Sequence, residues 1–115
     1  MERLKIINHQ KNRFRGGKCI NTLKKEIGKK IGIIDNYKLV YNYELDHIIP
    51  YCISENNDIK NLQLLTHDKH IEKTRKDMKI LKKLREDGYY ERITKYSIEL
   101  LKPQKEVIAE FIRIS

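Results

Sequence analysis

The sequence predicts an α+β fold that is mostly helical, with a short pair of strands near its centre. Three observations predict it. Apolar residues recur at helical spacing before residue 32 and again after residue 66, the period changes to two between Tyr37 and Ile49, and the apolar run Leu62–Leu65 is long enough only for a short strand. A chain of 115 residues has the usual size of one domain with a modest core. Within it, residues 1–36 read as a basic arm and a helix, 37–77 as the central core and 78–115 as a helical C-terminal extension.

Taken in order, the opening stretch is basic and broken by Gly16 and Gly17, which marks an arm or short element leading into a loop. Ile20, Leu23, Ile27 and Ile31 then outline one face of a helix that tolerates Gly28. From Tyr37 the alternation Tyr37, Leu39, Tyr41, Tyr43, Leu45, His47, Ile49 predicts a strand ending before Pro50, which has no N–H to give a ladder, with the tyrosines turned to the core. The Ser/Asn/Asp-rich segment after Pro50 predicts a loop, and Leu62–Leu65 a second strand. Thr66 is suited to cap a helix with Asp68 in its first turn and Ile71, Met78, Leu81 and Leu84 as its apolar stripe, ended by Gly88. Ile93, Tyr96, Leu100 and Leu101 predict a further helix, Pro103 interrupts it, and Val107, Ile108, Phe111 and Ile112 predict the last one.

Charge is unevenly spread. Residues 1–30 carry a net +8, residues 31–68 a net −4 and residues 69–115 a net +5, for +9 in all. Basic flanks attract a polyanion while an acidic centre attracts a cation, so the pattern points to nucleic acid gripped at the edges and a metal held in the middle. A Lys-rich surface that is merely solvated would look the same. Two cysteines, Cys19 and Cys52, make neither a disulfide framework nor a four-thiolate zinc site. No signal peptide precedes them and no apolar run is long enough to span a bilayer, so an intracellular, cytoplasmic setting without membrane contact is expected.

The centre of the chain reads LDHIIPYCISENNDIKNLQLLTHDKHIEKT. Asp46, His47, Ile48 and Pro50 form a first block, Asn61, Leu62, Gln63 and Leu65 a second, and His70, Lys73 and Thr74 a third. In this order and at these separations they resemble the HNH endonuclease family, whose ββα-metal motif runs DHIxP, then NLQxLC, then xxCHxxKT. The resemblance implies a ββα-metal core with flanking helices and hydrolysis of DNA phosphodiester bonds. It also implies a setting in phage or mobile elements.

The chemistry supplies a reason for each residue type. Phosphodiester hydrolysis by in-line attack needs a base on the side of the incoming water and a cation toward the leaving oxygen. Adjacent strand residues point to opposite faces. Asp46 is therefore read as a hard oxygen ligand for a divalent cation and His47 as the general base, since an imidazole titrates near neutral pH. His70, one turn into the helix, becomes the second ligand, and two protein ligands leave positions for water and phosphate. Asn61, by resemblance, orients the base. Magnesium is the expected ion, with manganese, nickel or zinc as substitutes that such mixed ligands accept.

Arg13, Arg15, Lys18, Lys69, Lys73, Arg75 and Lys76 are the candidate phosphate contacts. Many relatives hold a structural zinc with two CxxC pairs, but the corresponding stretches here are Cys19–Thr22 and Thr66–Lys69, so no structural zinc is expected. Cleavage of both strands would call for a homodimer or for sequential nicking. The competing reading is a non-catalytic nucleic-acid-binding module derived from such a nuclease.

Overall fold

The computed structural model describes residues 13–14, 18–95 and 97–115. Strands β1 (Arg13–Phe14) and β2 (Lys18–Cys19) pair antiparallel. Helix α1 (Ile20–Ile31) follows, as the spacing of Ile20, Leu23 and Ile27 predicts. It buries Leu23, Lys24, Ile27 and Gly28 and leaves Ile31 exposed. Lys29 and Lys30 in its last turn face the negative end of the helix dipole, and Gly32 closes it at φ 85°, a left-handed conformation that glycine adopts without steric cost.

The first departure from expectation comes next. The segment predicted as a long strand begins as helix α2 (Asn36–Tyr41), capped by Asp35, whose carboxylate accepts from Lys38 N at 3.2 Å. Residues 37 and 41 share a parity, but four apart they also share a helix face. Their rings lie 4.8 Å apart and both are exposed, so they are not the core residues that alternation suggested. The only buried residue of α2 is Leu39. Leu39 packs where Gly28 leaves room on α1, since a Cβ on Gly28 would stand 2.5 Å from Leu39 Cδ2. That close approach favours the helix.

Strand β3 is accordingly short (Glu44–His47) and pairs antiparallel with β4 (Leu62–Leu65), Asp46 opposite Gln63 and His47 opposite Leu62. Ile48 N donates to Asn61 O at 2.7 Å and carries the pairing one residue further. Between the strands, the segment expected as plain loop holds a one-turn helix, α3 (Tyr51–Ser54), and a 3-10 turn (Ile59–Asn61). Helix α4 (His67–Glu86) follows, its Lys69 N donating to Thr66 Oγ1 at 3.5 Å as the cap predicts.

The chain divides into two compact units. The first comprises Met1–Ile48 and Asn57–His70, and its core is Leu23, Ile27 and Leu62 with Leu45, Ile59 and Leu64 against them. Lys24 is also buried there, and its Nζ donates at 3.1 Å to Val40 O, one of the carbonyls that the end of α2 leaves without a helical partner. Burial pushes the Lys24 ammonium below its usual range, and the charge of Glu44 opposes the shift.

The second unit comprises Ile49–Asn56 and Ile71–Ser115, with Ile53, Ile80, Leu84, Tyr90, Val107 and Phe111 as its core. On α4 the buried positions are Ile80 and Leu84, while Ile71 and Met78 of the predicted stripe are exposed. Gly88 at φ 82° stops the chain from continuing as helix. The helix expected around Ile93 and Leu100 is instead an antiparallel hairpin, β5 (Tyr90–Thr94) with β6 (Ser97–Leu100). Ile98 and Leu100 alternate onto the core beside Tyr90, while Ile93 is exposed, so a period of two satisfies burial where a helical period does not. Helix α5 (Gln104–Ile114) buries Val107 and Phe111, and Gln104 Nε2 donates to Ile53 O and Ser54 O at 3.1 and 2.9 Å.

Candidate active site

The site lies wholly in the first unit, where β3 meets the first turn of α4. Strand alternation turns Glu44 and Asp46 to one face and Leu45 and His47 to the other. Leu45 goes to the core, so the two carboxylates take the opposite side. Asp46 is 8% exposed, unusual for a carboxylate, and Gln63 across the hairpin donates to its Oδ2 at 3.0 Å. Helix α4 brings two imidazoles to the same place, because residues three apart share a helix face. His70 Nε2 stands 3.5 Å from Asp46 Oδ1, and His70 Nδ1 stands 2.7 Å from Glu44 Oε2. His67 Nδ1 takes the other oxygen of Glu44 at 2.8 Å, which holds the His67 imidazolium above its usual range.

His47 follows Asp46 on the strand, with its Nε2 2.7 Å from Asn57 Oδ1. An amide oxygen only accepts, so Nε2 carries the proton and Nδ1 keeps the lone pair. Asn61 is buried at 6% exposure, and its backbone carbonyl accepts from Ile48 N just past His47. A neighbouring Asp and His on one strand, a buried Asn before the partner strand and a His one turn into the next helix thus lie within a single compact unit. The family model described as HNH endonuclease matches residues 28–77. This segment belongs to the HNH endonuclease family.

Neither the comparison with curated proteins nor that with solved structures gave a match. The HNH segment spans α2, β3, β4 and the first half of α4, so it holds every candidate catalytic and cation-binding residue. Its family is one of nucleases, with nucleic acid as substrate and a divalent metal in general use. Among the described residues no group of three or more His, Cys, Asp or Glu side chains is arranged to hold a metal ion, and no helix is long and apolar enough to cross a membrane.

A two-ligand cation site does fit. Two ligands bound to one small divalent ion at about 2.1 Å lie roughly 3 Å apart when adjacent, close to the separation found between Asp46 Oδ1 and His70 Nε2. The donor chemistry agrees, since Glu44 accepts the Nδ1 proton of His70 and leaves a lone pair on Nε2 facing a carboxylate oxygen. Two electron-rich atoms brought face to face suit a cation between them.

The basic candidates are dispersed. Lys69, Arg75 and Lys76 are exposed on α4. Lys73 is half-buried with its Nζ 2.6 Å from Asp77 Oδ2, and Lys18 is ion-paired with Glu26, so each has part of its charge offset by a carboxylate. Arg15 lies outside the described residues, as does the side chain of Arg13. Three residues at the site escaped the sequence reading. The parity that selected Asp46 also selects Glu44, and the helical period that selected His70 also selects His67, so both were legible. Asn57 was not, because a loop contact leaves no periodic trace.

Proposed function

We propose that this protein is a metal-dependent endonuclease that hydrolyses DNA, with His47 as the general base, Asn61 as a residue that orients it, and Asp46 and His70 as ligands of one divalent cation. The observation that carries the reading is the approach of His70 Nε2 to Asp46 Oδ1, 3.5 Å, inside a segment of the HNH family. Magnesium suits the site by charge and hardness, with manganese, nickel or zinc as accepted substitutes.

His47 Nδ1, with its lone pair, takes a proton from water as the water attacks phosphorus. Asn57 holds the ring through Nε2, and the strand pairing at Ile48 and Asn61 fixes the backbone that bears it. Gln63 keeps Asp46 in place from across the hairpin. When bound, the cation would stabilise charge on the phosphate and the leaving oxygen. Lys69, Arg75 and Lys76 are exposed on the same helix as His70 and would neutralise neighbouring phosphates, together with Lys73 once released from Asp77 and with Arg13, Arg15 and Lys18 of the N-terminal arm.

Plasmid nicking tests the proposal. Divalent metal should support cleavage, chelator should stop it, and His47→Ala should lower the rate by about 10²–10⁴-fold while leaving DNA binding intact. Wild type and His47→Ala behaving alike, with no metal requirement, would instead mark a non-catalytic binding module.

A further inference from the structure

Glu44 has no part in the function proposed above, yet both of its oxygens are engaged by imidazoles, Oε2 by His70 Nδ1 at 2.7 Å and Oε1 by His67 Nδ1 at 2.8 Å. We propose that Glu44 is a positioning residue, with His67 as its anchor: it fixes the tautomer and ring orientation of His70 so that Nε2 is presented, unprotonated, toward Asp46. The inference rests on the proposed cation role of Asp46 and His70.

The argument is one of hydrogen-bond inventory. A carboxylate has no proton to give, so the ring nitrogen against each oxygen of Glu44 must be the donor. Nδ1 of His70 therefore carries the hydrogen, and its Nε2, 3.5 Å from Asp46 Oδ1, is the atom left to bind a cation. Without Glu44 the His70 ring could rotate, or carry its proton on Nε2 and donate it to Asp46, and either change would close the site. A ligating histidine commonly has its second nitrogen tied to a carboxylate in this way.

His67 adds a constraint of its own. By occupying Oε1 it stops the carboxylate from swinging away, and it comes from the same turn of α4 as His70, so the two imidazoles straddle the side chain. Opposite Glu44 in the hairpin is Leu65, two residues before α4 begins, which brings the carboxylate to the start of that helix.

The test uses the full-length protein with Mn²⁺ as the probe. Glu44→Ala should weaken Mn²⁺ binding, read by calorimetry or electron paramagnetic resonance, by about 10–100-fold. In metal-free protein, ¹⁵N NMR should show the His70 proton shift from Nδ1 toward a mixture of the two nitrogens. Glu44→Gln retains an oxygen to accept from His70 Nδ1, so it should keep the wild-type tautomer of His70 and recover most of the affinity, whereas its amide cannot accept from both rings.

Wild-type affinity and tautomer in Glu44→Ala would overturn the proposal, and so would Glu44→Gln falling as far as Glu44→Ala, which would make Glu44 a direct ligand or a bare charge. Asp46→Ala serves as the control. If it leaves Mn²⁺ affinity unchanged, the cation reading itself fails, whereas the tautomer measured without metal still judges Glu44.

Discussion

Replacing Gly28 with alanine sets two effects of known size against each other. Glycine inside a helix is worse than alanine by about 1 kcal/mol, so helix propensity alone predicts that Gly28→Ala stabilises α1. The packing predicts the reverse. An added Cβ would meet Leu39 Cδ2 at 2.5 Å, Ile33 O at 2.7 Å and Leu39 Cδ1 at 2.9 Å, all well inside van der Waals contact.

Neither neighbour gives way cheaply. Leu39 is 1% exposed, and the backbone at Ile33 is tied to α1 by its N–H, which donates to Gly28 O at 2.8 Å. Overpacking of this kind costs typically ~1–3 kcal/mol, and a rigid backbone neighbour argues for the upper end. After subtracting the propensity gain, a net loss of about 1–2 kcal/mol is expected. Guanidinium denaturation should show it as a lower midpoint at unchanged slope, and thermal unfolding as a fall of roughly 4–8 °C. A Gly28→Ala variant as stable as wild type, or more so, would refute the claim that α2 docks on α1 through this gap.

Leu84→Ala in the second core, where Leu84 is 0% exposed, should lower stability by about 2–5 kcal/mol in chemical denaturation, and a loss under 1 kcal/mol would mean that the site collapses freely. Asp35→Ala removes the cap of α2 and should cost about 1 kcal/mol, read the same way. Glu110 is held below its ordinary value of 4.5, first by the Arg113 hydrogen bond and then by that residue's charge, so it stabilises the folded state above 4.5 and loses this as falling pH protonates it. The stability difference between wild type and Glu110→Gln should therefore be present at pH 7 and vanish at low pH, whereas parallel pH curves would exclude the role.

What could be read from the sequence follows from what sequence can encode. The order β3, β4, α4 was legible because Asp46, His47, Asn61 and His70 are tied to one another by separation along the chain, and the helix of Ile20, Leu23 and Ile27 was legible because burial there follows a single local period. Residues 37–41 were misread because tyrosines four apart satisfy both periods. The Asp35 cap and the gap at Gly28, a tertiary contact, favour the helix. The β5–β6 hairpin was missed for a related reason, since Tyr90 is opposite Leu100, ten residues on, and only the fold reveals that Ile98 and Leu100 share the buried side. At the site, Glu44 and His67 obeyed the same periods as Asp46 and His70. They were passed over because the motif names only the latter pair.

The burial of Lys24 gives the first unit a chemical reporter of its own integrity. With its amine shielded, depressed in basicity and committed to the Val40 carbonyl, Lys24 should resist acylating reagents that modify lysines on the surface within minutes. The appearance of label at this one position, followed by mass spectrometry, would then time the opening of α1 from α2 without any engineered probe.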